Sequence, residues 1–180
     1  MSAEDPLAPG ATLGAIYSEH AGFVWRSLLR LGASQAEAED LLHEVFLVVR
    51  RRLDDFEDGR SLRAWLYGIA RGVAANHRRG RRREEARLDR LPSPSPPMTP
   101  EEGLQRRRAA ALVAEFLATL DEPRRQVFEL MDIEGLRGPE VAEALQIPLM
   151  KVHTLLRSAR TLFHAHLNAP LAAAARKETA

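Results

Sequence analysis

The sequence predicts an all-α chain: two small helical domains joined by a proline-rich flexible linker. Three observations carry this expectation. Leu62, Leu66, Ile69 and Val73 recur at the spacing of an amphipathic helix, and the same period marks the segments before and after. The run Leu91-Pro92-Ser93-Pro94-Ser95-Pro96-Pro97-Met98-Thr99-Pro100 cannot enter a helix or sheet interior, because proline lacks an amide donor and fixes φ, so it divides the chain. No segment shows the apolar/polar alternation of a strand, and no internal repeat is present.

The elements follow in order. Residues 1–12 hold two prolines and small side chains and are expected as a loose arm. Ile16, Phe23, Val24, Leu28 and Leu31 give one face of a first helix from about Leu13, ending at Gly32. Ser34-Gln35-Ala36-Glu37 is a capping box, in which the serine oxygen and the glutamate each satisfy an orphan amide. It opens a second helix to about Leu53, with Leu41, Leu42, Val45, Phe46, Val49 and Leu53 inward and Asp40, His43, Glu44 and Leu47 nearer the outside. Phe56 to Arg60 reads as a loop. Ser61 is a suitable N-cap for the third helix, which contains Trp65 on its apolar side and runs into Asn76-His77-Arg78-Arg79-Gly80-Arg81-Arg82-Arg83. The first domain thus spans 13–90 and the linker 91–100.

Thr99-Pro100-Glu101-Glu102 restarts helix by a cap, a proline at the first helical position and a glutamate at the third. That helix runs to about Leu120. Asp121 caps the next, which Gly135 ends. Pro139 to Leu145 is a short helix, Gln146-Ile147-Pro148 a turn, and Leu149 to about His166 a longer helix with Val152, Leu156, Ala159 and Phe163 inward. Two helices joined by a tight turn, the second polar on its outside, form a helix-turn-helix. The second domain spans 101–168, and 169–180 is an alanine-rich tail with no assigned function.

The bulk numbers exclude several classes. The chain has 180 residues and no cysteine, which removes disulfides and thiolate metal sites and fits a reducing compartment. No apolar run approaches membrane-spanning length, and the N-terminus lacks a signal pattern. A net charge of +1 conceals strong segregation. Glu37, Glu39, Asp40, Glu44, Asp54, Asp55, Glu57 and Asp58 crowd one segment and arginines crowd the next, as expected of a chain with two different partners.

Each candidate site has a plain structural alternative. The arginine cluster suits phosphates through counterion release, but arginine at a helix C-terminus also satisfies the helix dipole. The helix-turn-helix suits duplex DNA through Lys151, His153, Thr154, Arg157 and Ser158, yet similar corners can be purely structural. The acidic face is by itself an ordinary solvated helix face. Trp65 reads as core, which leaves Phe56 as the expected exposed aromatic. His164 and His166 lie two apart on a helix and point to different faces, and the other histidines are scattered, so no metal is expected. No phosphate loop, nucleophile elbow or glycine fingerprint occurs. Neither a cofactor nor an enzymatic activity is expected.

Two blocks carry a resemblance. "AEDLLHEVFLVV" with "SLRAWLYGIARGVAANHRR" resembles domain two of bacterial sigma factors. "LDEPRRQVFELMDIEGLRGPEVAEALQIPLMKVHTLLRSAR" resembles domain four. Together, from about Ile16 to Leu167 and without the intervening domain of larger relatives, they resemble the extracytoplasmic-function (ECF) group. The resemblance implies a factor that binds core RNA polymerase, through the clamp helices of the β′ subunit and the β flap, and directs promoter-specific initiation. It places Asp40, His43, Glu44 and Phe46 on the polymerase-binding helix. It assigns Phe56, Arg60, Arg71, Asn76, Arg78, Arg79 and Arg81 to capture and opening of the −10 element. Lys151, His153, Thr154 and Arg157 are assigned to the −35 duplex. It also implies an anti-sigma partner and a cytoplasmic location, where a membrane-linked anti-sigma protein can hold the chain. The alternative is a helix-turn-helix regulator that binds duplex DNA without polymerase, which leaves the first domain unexplained.

Departures from the family pattern concern specificity. Gly72 and Asn76 stand where Asn and Asp are usual, Gln146 replaces a turn glycine, and His43 replaces a glutamine. Met150, Lys151, His153 and Leu155 stand where Gly, Thr, Lys and Arg are common, so the target promoter does not transfer from relatives.

Overall fold

The computed structural model describes residues 12–57, 59–85 and 104–178, with side chains for 12–57, 59–81 and 110–168. The expected arm, apart from Thr12, and the proline linker 91–100 lie outside the described residues, as does the expected start of the fourth helix. The chain divides into two compact units, Met1–Met98 and Thr99–Ala180.

The first unit holds three mutually packed helices, α1 (Leu13–Arg30), α2 (Gln35–Arg52) and α3 (Leu62–Glu85). Thr12 caps α1 by accepting from the Ala15 amide, and Gly32, at φ 94°, turns the chain out of it. The capping box of α2 forms as expected: Ser34 N–H donates to Glu37 Oε2 at 2.7 Å, and Glu37 N–H to Ser34 Oγ at 3.3 Å. Ser61 Oγ accepts from the Ala64 amide at 3.3 Å and starts α3. The expected apolar stripes close on one another. Ile16, Phe23, Val24 and Leu28 of α1, Leu41, Leu42, Val45 and Val49 of α2, and Leu62, Leu66, Ile69 and Val73 of α3 are all buried. Leu53, expected inward, is only half-buried, because the chain leaves α2 through a 3-10 turn at Leu53–Asp55. Two polar side chains join this core unannounced. Ser27 donates to the Phe23 carbonyl at 2.8 Å, and His20 is buried.

The second unit is built on α7 (Leu149–Glu178), against which α5 (Glu122–Phe128) and α6 (Gly138–Leu145) pack. α4 (Leu104–Thr119) contributes Phe116, whose ring lies 5.3 Å from Phe128 and 4.9 Å from Phe163. Asp121 Oδ1 accepts from the Arg124 amide at 3.2 Å, the cap expected for α5. The segment that follows is not plain α-helix. Glu129–Ile133 winds as a π-helix, with Glu134 N–H reaching back five residues to the Glu129 carbonyl at 2.9 Å, before Gly135 at φ 74° ends it. The α7 backbone stays helical to Glu178, so the tail beyond residue 168 continues this helix.

Candidate nucleic-acid and partner interfaces

On α2, the residues left over by core packing define one outward surface. Asp40, His43, Glu44 and Leu47 are exposed, as their spacing predicts. His43 Nδ1 lies 2.9 Å from the Glu39 carbonyl one turn back, which leaves Nε2 outward. Phe46, grouped with them by the resemblance, does not share this surface. It is buried with its ring 4.7 Å from Tyr17, in an edge-on contact between α1 and α2. Beside the acidic row, a cavity of about 490 Å³ opens between these helices, lined in part by Tyr17, Trp25, Glu39 and His43.

The aromatic pair before α3 corrects a sequence expectation. Phe56 was expected as an exposed aromatic in a loop, but it is only 8% exposed. The 3-10 turn at Leu53–Asp55 delivers it inward, with its ring 5.0 Å from that of Trp65. Trp65 is core, as expected. Phe56 therefore supports the entry to α3 and offers no open stacking face. Arg60 is half-buried, 3.9 Å from the Glu57 carboxylate.

Arginines of α3 are partly committed within the protein. Glu37 Oε1 lies 3.0 Å from His77 Nε2 and accepts from Arg81 at 3.1 Å, while Oε2 holds the Ser34 amide. These contacts, the His77 hydrogen bond first and then that to Ser34, outweigh burial and hold the Glu37 carboxyl down to about 2. Arg78 donates to the carbonyl of Leu31, at the C-terminal end of α1. Arg78 and Arg81 thus fasten α3 to the corner between α1 and α2. Arg79 and its partner Asn76 are exposed, and Arg71 is half-buried. Gly72 is exposed as well, with nothing within 4 Å of where a Cβ would stand. The capping box pointed to Glu37 in the sequence, but its contacts with α3 lie about forty residues away and leave no local pattern.

The helix-turn-helix is α6, the turn Gln146-Ile147-Pro148, and α7. Gln146 takes the left-handed conformation, φ 57° and ψ 46°. The Ile147 amide then reaches the Ala142 carbonyl at 3.0 Å and closes the end of α6. Gly138 lets the start of α6 approach α7 closely, since an added Cβ would stand 3.1 Å from Leu149 Cδ1 and 3.3 Å from His153 Cε1. Val152, Leu156 and Ala159 of α7 are buried. Met150, Lys151, His153, Thr154 and Arg157 are exposed together on the other side. Ser158, expected among them, instead accepts from Arg124 Nε at 3.0 Å and ties α5 to α7. Arg160, beside this surface, is taken by a two-pronged contact with Asp132, at 2.9 and 2.5 Å, which raises its pKa.

Comparison with known proteins places both units. Residues 16–84 match the Sigma-70 region 2 family and residues 110–162 the Sigma-70 region 4 family. The ECF RNA polymerase sigma factor SigL of Mycobacterium tuberculosis is 30% identical over 141 residues, covering 78% of this chain and 80% of that one. The ECF RNA polymerase sigma factor SigE of Mycolicibacterium smegmatis is 33% identical over 147 residues, covering 79% of this chain and 56% of that one. Among solved structures, CnrH in complex with the cytosolic domain of CnrY is similar at 25% identity and a TM-score of 0.61, covering 87% of this chain and 88% of that one. Among the described residues, no helix is long and apolar enough to cross a membrane.

Proposed function

This chain belongs to the ECF group of RNA polymerase sigma factors, and from that premise we propose a division of labour between its two units. The chain binds core RNA polymerase and directs it to particular promoters. In our reading the first unit, 13–90, grips the polymerase through Asp40, His43 and Glu44 and manages the −10 strand. The second, 101–168, reads the −35 duplex. Phe46 serves the first task by fixing α2 against α1.

The support for the −35 assignment is one observation: the outward row of α7 is exposed while the opposite row is sealed in the core. A helix held this way offers its first two turns to a major groove. Lys151 and Arg157 supply positive charge for phosphate or guanine, and His153 and Thr154 supply polar contacts. For the −10 strand, Arg79 and Asn76 are the exposed pair, with Arg71 on the same helix and Arg60 in the turn just before it. Arg78 and Arg81 act by holding α3 in place, and Phe56 by holding its first turn.

The chemistry of RNA synthesis belongs to the polymerase, so the chain is an initiation factor and not an enzyme. Its place of action is the bacterial cytoplasm. An anti-sigma protein is its proposed regulator, a reading supported by the solved complex of CnrH with the CnrY cytosolic domain.

The test is transcription from genomic DNA by core polymerase with and without the purified chain, followed by sequencing of transcript 5′ ends. Discrete starts that depend on the chain are expected. Binding to core without new starts would refute the promoter assignment, and a palindromic footprint without polymerase would favour a dimeric regulator.

A further inference from the structure

The outward row of α7 is less polar than its sequence suggests. Met150 is 76% exposed, the highest value among the exposed large apolar side chains of the described residues. It stands in the first turn of α7, four residues before Thr154 and seven before Arg157, so these three share one face. An unbranched thioether left in water at that place has no folding role, because nothing in the core is gained by it.

Thr154 adds to this. Its hydroxyl donates to the Met150 carbonyl at 2.9 Å. The single hydroxyl proton is thereby spent, and what remains is acceptor capacity and a methyl group. One turn before the phosphate-seeking Arg157, the face thus carries two apolar groups and no free hydroxyl donor. Lys151 flanks it with a positive charge that brings the helix to a polyanion.

In the major groove, the one apolar group on a base edge is the C5-methyl of thymine. We propose that Met150, with the Thr154 methyl behind it, is a specificity-determining residue that reads a thymine methyl in the −35 element. The inference rests on the −35 reading of α7 given above and names what its first turn selects. A helix built this way is expected to favour thymine by contact with its methyl, since the Thr154 proton is not free to reach the thymine O4 acceptor.

The experiment is a selection by the holoenzyme, core polymerase with the full chain. The duplexes carry a mapped −10 segment and a randomised −35 segment, prepared once with thymine and once with uracil in that segment. Uracil keeps the O4 acceptor and pairing of thymine and lacks only the methyl. The wild-type chain is expected to enrich thymine at a fixed position, with a preference that falls about four-fold in the uracil duplexes, the scale of one buried methyl. Met150→Ala, whose side chain is solvent-exposed, should melt as the wild type does and show the reduced preference in both libraries. A thymine preference unchanged by uracil, or retained by Met150→Ala, overturns the inference while leaving −35 reading intact. Enrichment at other bases only does the same. If the wild type enriches no −35 sequence at all, the −35 reading itself has failed and the inference falls with it.

Discussion

Glu37 Oε1 and His77 Nε2 lie 3.0 Å apart, joining the first turn of α2 to the arginine-rich end of α3. The same carboxylate holds Arg81 and closes the capping box, so one side chain fixes both the start of one helix and the position of another. Its folded pKa of about 2 lies below its ordinary value of 4.5. A depressed carboxyl stabilises the fold above its unfolded pKa, and that contribution is lost as pH falls through the folded one. The first unit is therefore expected to lose stability progressively from about pH 4.5 to about pH 2, and Glu37→Gln should flatten this part of the profile. Denaturant midpoints of the full chain against pH, read by Trp fluorescence, check it.

Phe56→Ala should behave as a core mutation. Removing a buried ring that rests on Trp65 costs about 3 kcal/mol, whereas an exposed base-stacking aromatic would cost little. Equilibrium unfolding measures the difference. An unchanged midpoint accompanied by lost promoter opening would restore the stacking role.

Gln146→Gly should stabilise the helix-turn-helix. The left-handed conformation at φ 57° penalises a side chain by about 1 kcal/mol, and glycine escapes it at some entropic cost. A gain of roughly 0.5 kcal/mol is expected, with slower hydrogen exchange in α6. Gln146→Val, β-branched at the same φ, should lose stability instead.

The arginines of α3 should separate by role. Arg79→Ala, exposed beyond the core, is expected to weaken promoter opening with little change in stability. Arg78→Ala removes a donor from the Leu31 carbonyl and should lower stability by about 1 kcal/mol. Permanganate footprinting of the opened strand, set beside thermal melting, distinguishes the two.

Lys151→Ala should weaken −35 binding uniformly across sequences and reduce the salt slope by about one counterion, the signature of a phosphate contact. Holoenzyme affinity measured over a salt series gives that slope directly. A sequence-dependent loss would move Lys151 to the base edges.

Local rules carried most of the fold. The caps at Ser34, Ser61 and Asp121 and the glycine stops at Gly32 and Gly135 depend on neighbours within a few residues, and each stands where its motif places it. Contacts across the fold were not legible in the same way. Phe56 carries no periodic partner, so its position in a loop suggested exposure, while a 3-10 turn directs it onto Trp65. The internal engagement of Arg78 and Arg81 depends on where the first α1–α2 corner comes to rest, which no spacing in the α3 sequence encodes. The outward row of α7 was legible as a row. Its apolar character emerges only once the Thr154 hydroxyl is seen to turn back on its own helix.

The widened turn at Glu129–Ile133 makes the counting of residues a structural variable in its own right. An α-helix advances about 100° per residue, so accommodating one extra residue in a turn re-aims everything after it by that angle. Asp132 sits inside this stretch and meets Arg160 of α7 squarely. Deleting a single residue there would let the ordinary winding resume without breaking the helix, yet Asp132 would swing away from its partner. Beyond the Asp132 carboxylate itself, length is what keeps that brace in register, and a substitution scan of the other four positions would overlook it.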